Sequence, residues 1–235
     1  MNKIVTGFWI LILAGFVGCS TANKKRDIPE SERLYGFKTA VVEYKTTSTV
    51  EEASDEVYET AWFDDYGLVS ARQKKEITIE EISDSVFSKT EKNTLLISDT
   101  LYAWALNTEK KTGTKISMKE MKNMGTVPGM LAPKQTTPKD YTKEFVEANG
   151  GQWLPEETIL GVKCIVIELG KTKQWLYKGL VMKSETRLGQ GMITRQAVKF
   201  EENAVIPADK FMIPEDYKVT EMTANDMMKS HAKPQ

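Results

Sequence analysis

The strongest constraint on the fold is a repeated local pattern. From Leu34 onward, short runs of β-branched and aromatic residues alternate with turn sequences, and no long helical period intervenes before the middle of the chain. The pattern predicts strands over 34–49, 56–63, 68–82, 86–97 and 101–107, with Asp64-Asp65-Tyr66-Gly67 and Ser98-Asp99 as turns. A second block follows over 162–169, 173–178, 180–188 and 191–201, turned by Lys178-Gly179 and Gly189-Gln190-Gly191. Connections this short cannot carry a parallel crossover, so consecutive strands are expected to pair antiparallel with their neighbours. Helices are expected over 114–124, 139–149 and 223–231, with a Pro- and Gly-rich loop over 125–138.

Alternation within the strands says what must cover them. Leu180, Met182, Ser184, Thr186 and Leu188 fall on one side of a strand, and Val181, Lys183, Glu185 and Arg187 on the other. Val57, Ala61 and Phe63 oppose Tyr58 and Trp62, so parts of the sheet are apolar on both faces and need a second layer.

The N-terminus reads as an address. After Lys3, Ile4 to Gly18 carry no charge, about 15 residues against the roughly 20 that a spanning helix needs. The run ends in Phe16-Val17-Gly18-Cys19, which resembles the lipobox of bacterial lipoprotein signal peptides, with Phe16 where Leu is commonest. The resemblance implies cleavage before Cys19, acylation of its thiol, and an anchored mature chain. Ser20-Thr21-Ala22 would also serve an ordinary signal peptidase and would leave a free protein. In the sorting rule known for such lipoproteins an aspartate after the cysteine retains the protein at the inner membrane. Ser20 therefore implies the outer membrane, facing the periplasm. The expected organisation is a signal peptide at 1–18, a lipidated tether at 19–33, one domain at 34–222 and a C-terminal helix or tail at 223–235.

The second half carries further recognisable words. Gly161-Val162-Lys163-Cys164, Trp175-Leu176-Tyr177-Lys178-Gly179 and Phe211-Met212-Ile213-Pro214 occur in that order. Together they resemble the lipoprotein-sorting carrier and receptor group (LolA/LolB-like). That resemblance implies a mainly β fold of α+β type, a half-barrel in which one large curved antiparallel sheet carries a few helices on its concave side. It also implies a ligand class: a lipid, an acyl chain or a lipoprotein. The motifs are architectural and bring no catalytic group.

A curved open sheet with helices over it leaves an apolar groove where a small closed barrel would be filled. Candidate groove or lid residues are Trp104, Met118, Met121, Met124, Met130, Trp153, Trp175 and Met182, with a further methionine cluster at 222–228. Flexible thioethers adapt to irregular apolar ligands, but methionines and tryptophans at these spacings serve equally well as core.

Little else suggests chemistry. Thirty-two Lys and Arg against 33 Asp and Glu leave a formal charge of -1, which supplies no basic field for nucleic acid. His231 is the single histidine and sits in a polar tail, so neither a metal centre nor a His-based triad is expected. Ser230-His231-Ala232-Lys233 fits Ser-x-x-Lys by letter alone, at a terminus. Asp64-Asp65 and Glu156-Glu157 are adjacent carboxylates, which point apart in extended chain. Cys164, in an apolar β run, reads as a buried structural thiol. The expectation is a non-enzymatic, lipid-anchored, periplasm-facing envelope protein without cofactor, holding an apolar ligand. The competing expectation is a protein-interaction or structural lipoprotein with a filled core.

Overall fold

The computed structural model describes residues 27–50, 56–83, 86–123, 141–223 and 226. The expected signal peptide at 1–18, Cys19, Met124 and Met130 lie outside the described residues. The strands are β1 Ala40–Ser48, β2 Glu56–Asp64, β3 Val69–Ser83, β4 Val86–Ser98, β5 Tyr102–Asn107 and β6 Thr112–Ser117, then β7 Gln152–Ile159, β8 Val162–Leu169, β9 Thr172–Tyr177, β10 Leu180–Leu188, β11 Gly191–Glu202 and β12 Lys218–Glu221. Helices α1, Met118–Asn123, and α2, Lys143–Ala148, lie between β6 and β7. All twelve strands form one curved open sheet in the order β12-β6-β5-β4-β3-β2-β1-β11-β10-β9-β8-β7. The fold is mainly β and of half-barrel type, as the residue patterning and the resemblance both implied.

The two expected blocks survive as two antiparallel meanders, and β1 pairing with β11 welds them at the centre. Two-residue turns set the hairpin registers. Leu160-Gly161 and Lys178-Gly179 have positive φ at both positions, which matches the twist of the flanking strands.

Three elements depart from expectation. The segment 114–124 is not one helix: Thr112–Ser117 form β6, and helix begins only at Met118. Thr112, Thr114 and Ile116 alternate at period two, and Gly113 lies so close to Leu106 that a Cβ there would collide with it. Cross-strand packing therefore draws 114–117 into the sheet, while the methionine spacing that suggested helix is met from Met118 onward in α1. β7 was not foreseen because Pro155 interrupts it. As a sheet edge with a register shift between Leu154 and Glu157, it accommodates a residue that cannot donate to the ladder. β12 pairs parallel with β6, unlike every other strand pair described.

Helix α2 is shorter than the expected 139–149 and starts where Thr142 caps it, its hydroxyl accepting from Phe145 N. Of the expected 223–231 helix, Thr223 and Asp226 are described. They exchange hydrogen bonds between side chains and backbone N–H groups in a capping-box arrangement.

Both sheet faces are covered in part. On one face Ala40, Val42, Tyr44, Ala61, Phe63, Leu180, Met182, Ala197, Cys164, Val166 and Trp175 form the main core with Phe37. Opposite it, Val146 of α2 seals Ile167 and Leu176. That same opposite face continues to Ala71, Ile97 and Leu106, which the returning segment covers with Phe211, Ile213, Tyr217 and Val219.

Candidate functional site

Strand register builds the site from small residues. Arg72, Leu96, Ala105 and Thr114 are consecutive cross-strand partners over β3 to β6. Ser70, Ser98, Ala103 and Ile116 form the neighbouring row. Both rows lie on the face of Ala61 and Phe63, because Ala61 pairs with Arg72 and Phe63 with Ser70. With Ala103 and Ala105 in the middle, the floor is shallow and cannot fill the space above it. Met121 of α1 and Met222, just after β12, supply apolar walls. The result is a cleft of about 270 Å³.

Next to the cleft the same face is filled. Tyr35 stacks on Phe37 with ring centres 5.2 Å apart and meets Phe63 edge-on at 5.1 Å. This N-terminal segment is pinned by Leu34 and Tyr35 N–H groups, both donating to Tyr66 O. The turn that offers this carbonyl runs through Asp65, Tyr66 and Gly67, all at positive φ. The open part of the face is thus the β3–β6 end, while the β8–β11 end is packed.

Electrostatics distinguish one cation. Arg195 pairs with Glu59 at 2.7 Å, and Lys74 pairs with Glu76, which also lies 3.8 Å from Lys92. Arg72 has no ion-pair partner among the described residues, and its guanidinium lies 5.8 Å from the Phe63 ring centre at the border of the cleft. The two serines of the floor satisfy each other, Ser70 Oγ to Ser98 Oγ at 2.8 Å. Burial pushes the Tyr35 and Tyr44 hydroxyls above their ordinary range, so both stay neutral donors. Tyr44 donates to Val181 O at 2.9 Å, reaching across β11 over Ala197.

The predicted residues divide. Met121 and Trp104 belong to the cleft lining. Trp104, with Ile97, contributes from strand positions whose side chains pack on the other face beside Ala71 and Trp62. Met118 starts α1 with its N–H donating to Leu101 O and lies outside the lining. Trp153 packs under α2, and Trp175 and Met182 are fully enclosed in the main core. The indole of Trp175 donates to Glu157 Oε2 at 2.9 Å, and that bond, ahead of the charge of Lys173, holds the Glu157 carboxyl below its usual range. Arg72, Ser70, Ser98, Ala103, Ala105 and Ile116 were not singled out from sequence.

Among the described residues no group of three His, Cys, Asp or Glu is placed to hold a metal ion. No described helix is long and apolar enough to cross a membrane. Cys164 is buried, and burial raises its thiol above the ordinary value.

The chain is thus defined as a mainly β protein whose curved sheet bears an apolar cleft beside an arginine that lacks an ion-pair partner among the described residues. No family model matches it, and no curated protein does. Similar solved structures include an uncharacterized conserved protein from Thermus thermophilus, at 7% identity and TM-score 0.47, covering 79% of this chain and 91% of that one. A putative outer membrane lipoprotein-sorting protein domain from Vibrio parahaemolyticus is 14% identical with TM-score 0.32, covering 77% and 92%. LprF from Mycobacterium bovis is 11% identical with TM-score 0.34, covering 77% and 90%. At these values the likenesses carry no argument about what this chain does.

Proposed function

We propose that this chain is a lipid-anchored, non-catalytic protein of the bacterial cell envelope, attached through Cys19 to the periplasmic side of the outer membrane, and that it holds an acyl chain in the β3–β6 cleft. The cleft carries the reading: two adjacent cross-strand rows built on Ala103, Ala105, Ser70 and Ser98 leave an unfilled apolar space bounded by Leu96, Ile116, Met121 and Met222. Its volume of about 270 Å³ sits just below the roughly 300–1,000 Å³ of drug-sized ligand sites. It suits one chain and not a multi-chain lipid. The packed core at the β8–β11 end keeps the ligand to this end. Anchoring follows from the lipobox resemblance, since each buried acyl CH₂ contributes about 0.8 kcal/mol and two or more chains hold a protein on a bilayer.

The test has two arms. Radiolabelled palmitate should enter the parent chain and not the Cys19→Ser chain. The Cys19→Ser protein, extracted with organic solvent, should yield single-chain lipids near one per protein by mass spectrometry. An extract empty of lipid, together with no uptake of a fluorescent fatty-acyl probe, overturns the ligand reading. Absence of palmitate overturns the anchor.

A further inference from the structure

The acyl-chain reading leaves the head of the ligand open, and the charges of the cleft face bear on it. The neighbouring strand cations on that face have carboxylates: Lys74 and Lys92 share Glu76, and Arg195 has Glu59. Arg72 has none among the described residues, although it lies in the row that forms the floor. A guanidinium set against the Phe63 ring on one side and an apolar cleft on the other has lost part of its hydration. An anion arriving in the cleft would restore that loss with charge-assisted hydrogen bonds.

The charge and most of the hydroxyls of the cleft lie at one end, Thr114 being the one polar lining residue at the other. Next to Arg72 stand the mutually bonded hydroxyls of Ser70 and Ser98, and away from it lie Ala103, Ile116, Met121 and Met222. This polarity is that of an amphiphile with one charged head. Resting on the acyl-chain reading above, we infer that the cleft takes a single-chain fatty carboxylate, its head on the Arg72 guanidinium and its chain over Ala103 and Ala105 toward Met121 and Met222. A single arginine neutralises a single carboxylate, and a cleft of about 270 Å³ suits one chain. Those two features favour a free fatty acid over a membrane phospholipid.

Binding of dodecanoate, dodecanol and phosphatidylglycerol vesicles to the Cys19→Ser chain near neutral pH separates the claims. Dodecanoate should bind roughly tenfold or more tighter than dodecanol, the fold-change that a hydrogen bond to a charged group supplies. Arg72→Gln should abolish that preference and leave dodecanol binding unchanged, and Arg72→Lys should restore part of it. Ala105→Phe fills the cleft from an exposed strand position, so it should remove binding of both chains without threatening the fold.

Equal affinity for acid and alcohol in the parent, or a preference that survives Arg72→Gln, overturns the head assignment while the acyl-chain reading stands. Binding to the vesicles without binding to dodecanoate overturns it also. Failure of both dodecanoate and dodecanol to bind, or indifference of dodecanol binding to Ala105→Phe, removes the cleft reading itself.

Discussion

The guanidinium of Arg195 lies 3.4 Å from the centre of the Tyr44 ring while its Nη2 pairs with Glu59 Oε1 at 2.7 Å, so one side chain of β11 links β1 and β2. Glu59 keeps only 13% of its side chain exposed, and Arg195 28%. Arg195→Ala strands a carboxylate on a largely covered face and should cost about 2–3 kcal/mol, short of the 3–5 typical of a fully buried pair. Converting both residues to leucine should recover most of that loss, because the desolvated carboxylate goes with its partner. Urea midpoints of the two variants against the parent decide the matter, and equal midpoints for Arg195→Ala and parent would show the pair to be idle. Tyr44→Phe, which removes the hydrogen bond to Val181 O, should cost about 1 kcal/mol by the same measurement.

Gly67 sits at φ +88°, and a Cβ there would lie 2.5 Å from Cδ2 of Tyr35. The ring cannot yield, held as it is between Phe37 and Phe63. Gly67→Ala should therefore combine backbone strain with overpacking and destabilise by at least about 2 kcal/mol. Gly150 is also at positive φ, +74°, but has nothing within 4 Å of an added Cβ. Gly150→Ala isolates the strain and should cost about 1 kcal/mol. Thermal midpoints that fall equally in both variants would remove the steric part of the explanation.

What sequence revealed and what it hid follow from range. β8 is apolar on both faces, and Cys164 and Val166 indeed enter one core while Ile167 enters another under α2. Such two-sided burial is written in consecutive residues and can be read directly. The cleft is not, because its floor exists only once β3, β4, β5 and β6 are aligned and Arg72, Leu96, Ala105 and Thr114 fall in one row. Each strand alone offers an alanine or a serine with no hint of its lateral neighbours. Met121 and Met222 meet at the cleft because β12 runs parallel to β6, a pairing no local pattern specifies. The sign that could have pointed to Arg72 is the Ser70, Arg72, Lys74, Glu76 alternation in β3, a polar set on a face where Phe63 and Ala61 next door are buried.

Cys164 has no exposed surface, and its Sγ donates to Val162 O at 3.7 Å. Burial raises the thiol, so at neutral pH the reactive thiolate is suppressed both by protonation and by access. The folded Cys19→Ser chain should therefore resist iodoacetamide, and labelling should appear only with global unfolding in urea. Rapid modification of the native protein would mean that the main core opens locally around β8. Cys164→Ser keeps the size but buries a hydroxyl, and should cost about 1–3 kcal/mol.

Acid sensitivity has a definite sign. Hydrogen bonds from Lys75 and then Lys89 lower the Glu91 carboxyl to about 2. Burial alone would raise Glu202, yet hydrogen bonds from Lys178 and Tyr177 override it and keep that carboxyl below its ordinary value. A group whose folded value is depressed contributes stability that is present above its unfolded value and lost as pH falls through the folded one. Both carboxyls start from an ordinary 4.5, so the acid limb should begin just below that value and run toward about 2. On the alkaline side, Glu56 raises Lys45, Asp216 raises Lys111 and Glu202 raises Lys178, all from 10.5, so their contribution is lost only as pH climbs beyond that. Stability should therefore be flat from about pH 5 to about pH 8, above which the Cys164 thiol, raised by burial from an ordinary 9.0, begins to cost stability because the unfolded chain loses that proton first. Urea midpoints across this range check the plateau. Glu202→Gln should flatten part of the acid limb, and raised salt should weaken the limb less at Glu202, which keeps 23% of its side chain exposed, than at Glu91, which keeps 38%. A midpoint that breaks near neutral pH would assign the transition to a group outside these pairs.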